Sequence, residues 1–176
     1  MVIFASELRG RDLGDQSPLF YYQFQRMTDK NRIEELVKEH ISGTSMFIVS
    51  VKVSASNRIT VLADTKEGIT VDECALLHRH IENGLDRDSE DFELQVSSPG
   101  LESPFQVIEQ YYKNEGKKIS VVDNEGTKFT GILKNVTAGG FDLETEVKIK
   151  GKGKEKTDMP FNFDQVKATK IILTIK

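Results

Sequence analysis

The chain of 176 residues contains no tryptophan, one cysteine, three histidines and four prolines. Each scarcity excludes something. A lone Cys74 cannot close an internal disulfide, which fits a reducing compartment, so the expected location is the cytoplasm. His40, His78 and His80, with that one cysteine, fall short of the four ligands of a structural zinc site. No run approaches the roughly 18 consecutive apolar residues that span a bilayer. The apolar opening Met1 to Ala5 gives way at once to Glu7, Arg9, Arg11 and Asp12, too short a stretch for a secretory signal. A phosphate loop of the G-x-x-x-x-G-K-[ST] kind and a serine elbow are both missing. The expectation is a binding protein and not an enzyme, with no cofactor, no metal, no membrane and no small-molecule substrate.

What is present is charge, at 30% of residues, unevenly placed. From Lys117 to Lys176 there are 12 Lys and no Arg against 8 Asp and Glu, a net of +4. Residues 1–116 carry 12 basic and 20 acidic residues, a net of -8. An acidic front joined to a basic rear points to two parts meeting different surfaces, with chance scatter between two ordinary domains as the plain alternative.

Apolar spacing predicts an α+β protein. Residues 1–26 show no periodicity, and Met27 resembles a start. They are expected to be an extension, disordered or absent from the native protein. After Thr28 or Asp29 as cap, Ile33, Leu36, Val37 and Ile41 mark one helical face, ended by Gly43. Phe47, Val49, Val51 and Val53, then Ile59, Val61 and Ala63, alternate as two strands around the turn Ser54 to Asn57. Thr70 and Glu73 have capping-box spacing ahead of the face Cys74, Leu77, Ile81 and Leu85. Phe92, Leu94 and Val96 form a third strand. This α-β-β-α-β two-layer unit is assigned to 27–98, with a linker at 99–114 where Pro99, Gly100 and Pro104 interrupt regular structure. Around Val107, Ile108 and Tyr111 lies a short amphipathic piece. Residues 115–176 read as five short strands: Ile119 and Val121; Phe129, Gly131 and Leu133; Phe141, Leu143, Val147 and Ile149; Met159, Phe161 and Phe163; Ile171, Leu173 and Ile175. They predict a small closed β-barrel of the SH3 or Sm type, with Gly131 at a sharp bend.

Among candidate sites, Cys74, His78 and His80 lie close enough in sequence to tempt a catalytic or zinc reading, and on a helix Cys74 and His78, as i, i+4 neighbours, could share a metal. The apolar setting of Cys74 favours an ordinary buried thiol. Asp86, Asp88, Glu90 and Asp91 crowd a turn but lack the glycine and terminal glutamate of a calcium loop, so a solvated acidic turn is expected. Lys148, Lys150, Lys152, Lys154 and Lys156 alternate with Gly151, Gly153 and Glu155 in a strongly positive loop that could neutralise RNA phosphates. A solubilising hairpin tip is its ordinary alternative. Phe129, Phe141, Phe161 and Phe163 sit at core positions and offer no stacking platform.

The order Asp64, Gly68, Asp72-Glu73-Cys74, His78-Arg79, Leu85-Asp86 and Phe92 to Leu101 resembles the ribosome maturation factor RimP family, whose hallmark Ser-Ser-Pro-Gly-Leu stands intact at Ser97, Ser98, Pro99, Gly100 and Leu101. The resemblance runs from about Met27 to the C terminus. It implies the same two domains and a non-enzymatic factor that binds the free small (30S) ribosomal subunit late in assembly. The implied contact is ribosomal protein at the decoding centre, with ribosomal RNA expected to be met through the basic loop, and a monomer is expected because no exposed apolar stripe demands a partner copy. The chain departs from the family at Glu102-Ser103-Pro104, where Asp-Arg-Pro is usual, and a serine hydroxyl cannot replace a guanidinium fork. His78 stands where relatives more often have serine. Ser97 and Ser98 are expected to bond local backbone and hold the turn, giving the motif a mainly structural role. Two rivals remain, a stand-alone RNA-binding regulator of mRNA and an enzyme of unknown type. The net charge of -4 disfavours the first, and the second lacks a convergent set of titratable groups.

Overall fold

The computed structural model describes residues 30–86, 91–149 and 153–173. The expected extension 1–26, the caps Thr28 and Asp29, the acidic Asp88 and Glu90, Lys150 and Lys152, and Ile175 lie outside the described residues, as do the side chains of Val147, Lys148, Ile149 and Lys154.

Helix α1 (Lys30–Ile41) forms where the periodicity places it, burying Ile33, Leu36 and Val37. It stops at Gly43, whose φ of 79° is left-handed and open to glycine without strain. Strands β1 (Met46–Val53) and β2 (Arg58–Thr65) pair antiparallel, while β3 (Glu93–Ser97) joins β2 in parallel. A parallel neighbour requires a crossover, supplied by helix α2 (Val71–Gly84). Its start is the capping box read from sequence: Glu73 N–H donates to Thr70 Oγ1 at 3.2 Å and Thr70 N–H to Glu73 Oε2 at 2.7 Å. Both helices cover one face of the sheet. Ile33, Ile59, Val61, Leu77 and Ile81 are fully buried between them, each large apolar side chain contributing about 1.5–3 kcal/mol by removal from water.

One face assignment in β1 is corrected. Pairing with β2 shifts register between Ile48 and Ser50, which leaves Val49 as a bulge. A one-residue insertion exchanges the two faces of a strand. Met46 and Ile48 therefore point into the core before the bulge, and Val51 and Val53 after it. Phe47, expected inside with Val51, stands opposite Asp64 on the other face.

The C-terminal sheet contains β4 (Lys118–Asp123), β5 (Lys128–Lys134), β6 (Gly140–Ile149), β7 (Gly153–Asn162) and, after a 3-10 turn at Phe163–Gln165, β8 (Val166–Ile171). Its order is β7-β6-β5-β4-β8. The expected closed barrel is not formed: β7 and β8 stand at opposite edges, and no ladder joins them among the described residues. The last strand also lies earlier than expected, ending at Ile171, with Leu173 exposed. It was hidden because its buried member is polar. Thr169 is 1% exposed and accepts a hydrogen bond from the Tyr111 hydroxyl at 2.9 Å.

Tyr111 belongs to helix α3 (Ile108–Lys113) and is the hub of the C-terminal core. Its ring centroid lies 5.0 Å from Phe105, 4.9 Å from Phe163 and 5.2 Å from Phe141. Burial pushes its phenol above the ordinary value, partly offset by the bond to Thr169. Phe105 N–H also donates to Thr169 O at 2.8 Å, so the chain from Phe105 onward is fastened to β8. Tyr111→Phe retains the rings but leaves the Thr169 hydroxyl unpaired, with an expected cost of about 1–3 kcal/mol in urea unfolding. Adding Thr169→Val should recover most of that loss, and no recovery would place the cost in ring packing.

Candidate functional site

Two regions concentrate polar chemistry, and the first is the seam between the sheets. Asp64 sits near the end of β2, and its Oδ1 accepts N–H bonds from Thr65 at 2.9 Å and Ile69 at 3.3 Å. Lys113, the last residue of α3, donates Nζ to both carboxylate oxygens at 2.7 and 2.6 Å. The side chains are 16% and 10% exposed for Lys113 and Asp64, so a nearly buried ion pair joins the N-terminal sheet to the helix packed in the C-terminal core. Helix α3 is short and relies on its caps. Gln110 Oε1 accepts N–H bonds from Gln106 at 2.7 Å and Val107 at 3.3 Å, and Asn114 Nδ2 donates to Gln110 O at 2.7 Å. Beside the pair opens a groove of about 370 Å³, lined by Ser45, Phe47, Lys66, Glu109, Tyr112, Lys113 and Glu115.

The hallmark leads into this seam. Ser97 ends β3 opposite Leu62, and Leu101 is 68% exposed. The turn that follows is held by Ser103 N–H donating to Gly100 O at 2.9 Å. Among the described residues the Ser97 and Ser98 hydroxyls take no part in it, contrary to expectation. Gly100 lies outside the left-handed region, and a Cβ there would meet only Ser103 Oγ at 3.2 Å.

The second region is the β6–β7 hairpin. Its ladder runs unbroken from Gly140↔Asn162 to Ile149↔Gly153, whereas β5 covers β6 only from Asp142 to Glu144. The part beyond Glu144 is thus a two-stranded ribbon outside the sheet body. Lys148 is register-paired with Lys154, and Glu146 with Lys156. Lys156 donates to Glu144 Oε1 at 2.9 Å, and Lys134 binds Glu144 Oε2. These hydrogen bonds, that from Lys134 first, hold the Glu144 carboxyl below the ordinary range and Lys134 above its own. Of the five lysines singled out by sequence, Lys156 therefore already has a partner.

The tempting metal set is dispersed. His78 Nε2 lies 3.3 Å from Leu94 O toward β3, while the His80 ring lies 5.1 Å from that of His40 on α1. Burial, then the neighbouring His80, lowers the His40 pKa. The Cys74 thiol is pushed up by burial and by Glu73 and Asp64, which makes it a poor nucleophile. Among the described residues no three His, Cys, Asp or Glu side chains are arranged to hold a metal ion. No described helix is long and apolar enough to cross a membrane.

Sequence reasoning marked Asp64 only through its place in a motif and missed Lys113. A lysine in the last turn of a helix has an ordinary explanation in the helix dipole, and nothing local reveals a partner 49 residues away.

The architecture defines a class: small α+β proteins in which an acidic α/β layer is pinned to a lysine-bearing β-sheet. Within that class the chain belongs to the ribosome maturation factor RimP family. The model for the RimP N-terminal domain matches residues 33–102, from α1 through the Ser97–Leu101 hallmark. The chain is 39% identical over 127 residues to the ribosome maturation factor RimP of Porphyromonas gingivalis, covering 72% of this chain and 84% of that protein. It is 34% identical over 129 residues to RimP of Christiangramia forsetii, covering 71% and 84%. With RimP of Cytophaga hutchinsonii it is 28% identical over 168 residues, covering 86% and 98%.

Proposed function

We propose that this chain is a ribosome maturation factor that acts without catalysis in the late assembly of the small (30S) ribosomal subunit. It works in the cytoplasm as a monomer and touches both ribosomal protein and ribosomal RNA. Family membership carries the reading, because the relatives at 39% and 34% identity bear that name and the match includes the intact hallmark. In this reading residues 27–98 form one domain and 99–114 connect it to 115–176, a unit of SH3- or Sm-like kind left open at one seam. The ribbon bearing Lys148, Lys150, Lys152 and Lys154 meets RNA backbone, and the Ser97–Leu101 turn sets how the first domain is presented. The rival reading, a regulator of mRNA acting on naked RNA, fits less well with a net charge of -4.

Sedimentation of a lysate from a tagged strain tests this. The protein is expected to travel with free small subunits and to be absent from translating ribosomes. Recovery only at the top of the gradient, at low salt as well, would overturn the reading. Changing Lys148, Lys150, Lys152 and Lys154 to Gln should weaken subunit association. It should also flatten the salt dependence by about 0.7–0.9 in log–log slope for each phosphate that no longer meets a lysine.

A further inference from the structure

Neighbouring tyrosines on α3 have opposite fates. Tyr111 is buried at the hub of the aromatic core, while Tyr112 is 47% exposed in the groove, facing the same space as Phe47. The bulge at Val49 delivers Phe47 there by turning it out of the N-terminal core. Two rings on a groove wall, one of them half in water, form a surface that no interior packing demands.

Topology sets the charge around it. Because β2 and β3 are parallel, their C-terminal ends share one edge, and the segments that follow each strand leave from that edge. The Asp64–Lys113 pair brings α3 to the same place. The three segments Thr65–Glu73, Ser98–Pro104 and Ile108–Glu115 hold six carboxylates, Glu67, Asp72, Glu73, Glu102, Glu109 and Glu115, against Lys66 and Lys113. Lys113 is taken by Asp64, which leaves Lys66 as the lone opposing cation of these segments. The edge is therefore aromatic at its centre and acidic around it, in a front half whose net charge is -8.

We propose that this edge docks a basic, arginine-containing segment of a partner protein. A guanidinium stacks on the Tyr112 and Phe47 rings and pairs with Glu109 or Glu115, while exposed Leu101 receives an apolar neighbour from the same segment. Nucleic acid is turned away by the surplus of carboxylates, so protein and RNA contacts lie on separate surfaces. The inference deepens the maturation-factor reading and rests on it only for the partner's being ribosomal.

The test uses the full chain and three labelled probes followed by fluorescence anisotropy at physiological salt: a short peptide of Arg-Ser-Leu-Gly repeats, its lysine counterpart and a single-stranded RNA oligonucleotide. The arginine peptide should bind, and the lysine peptide more weakly, because an ammonium lacks the stacking plane and the fork. Tyr112→Ala and Glu109→Lys, both exposed and outside either core, should each weaken the arginine peptide about fivefold or more, with melting curves unchanged. Absence of peptide binding, undiminished binding by both variants, or displacement of the peptide by RNA would overturn the proposal. Co-sedimentation with small subunits reads the broader function separately, so a positive gradient with a negative peptide result sinks this edge alone.

Discussion

Replacing Lys113 with methionine should lower stability by about 3 kcal/mol and separate the unfolding of the two sheets in urea. The substitution preserves length and apolar packing but leaves the Asp64 carboxylate, on a side chain 10% exposed, with only the Thr65 and Ile69 amides. Removing one member of a buried pair costs about 3–5 kcal/mol because the other charge stays behind. Partial exposure here argues for the lower end. Asp64→Asn should cost less, since its amide oxygen still accepts from the backbone. The charge-swapped pair Asp64→Lys with Lys113→Asp should fail to restore stability, because an ammonium cannot accept the Thr65 and Ile69 N–H bonds. Circular dichroism and amide spectra of the single variants and of the Asp64→Asn/Lys113→Met double variant give the coupling directly. A coupling below about 0.5 kcal/mol would mean the pair does not hold the sheets together.

Gly131→Val should unfold the C-terminal sheet and leave the N-terminal sheet folded. Gly131 sits in β5 next to Ile132, whose pairing with Glu144 is the last rung between β5 and β6. A Cβ at this position would lie 2.3 Å from Glu144 O and 2.9 Å from Leu143 Cγ. The first obstacle is backbone, so no rotamer relieves it and the strands have to separate. A loss beyond about 4 kcal/mol is expected, enough to consume most of the stability of a small unit. Gly131→Ala should behave similarly, because the clash is already made by the first carbon. If alanine is accepted with a change under about 1 kcal/mol, β6 does not press on β5 as closely as this geometry requires.

The sequence reading singles out Gly131 as the sharp bend of a closed barrel, whereas the structure gives the position a different reason for glycine, the close approach of β6 to β5. Elements with strong local signatures were legible: α1 from four apolar positions, α2 from Thr70 and Glu73, β2 from Ile59, Val61 and Ala63. What escaped was set by pairing at a distance. Nothing local to Phe47 announces that Val49 will bulge. The buried residue of β8 is a threonine whose hydroxyl is paired in the core by Tyr111, from 58 residues away. Half of the seam was visible, since Asp64 stands in the motif, and the other half was not, since an ordinary lysine completes it. The basic ribbon was legible as composition, but the partner that Glu144 gives to Lys156 was not, because it depends on cross-strand geometry.

The stretch between Ser97, where β3 ends, and Phe105, where the chain fastens to Thr169, is only seven residues, Ser98–Pro104. With Lys113 pinned to Asp64, that stretch is a hinge held shut rather than a tether. A chain that binds through the two proposed surfaces, the groove at the seam and the lysine ribbon, would behave as a bivalent ligand, and the effective concentration of the second surface after the first has bound depends on how narrowly their separation is fixed. The ion pair restrains the Phe47 wall of the groove against the Tyr112 wall, and with it the placement of the N-terminal sheet relative to the ribbon, so grip on a large target would exceed what either surface achieves alone where the target presents its two complements at that spacing. A single part-buried lysine thereby acts as a ruler. Shortening or freeing it would let the two walls of the groove part and loosen the spacing on which the proposed bivalent grip depends.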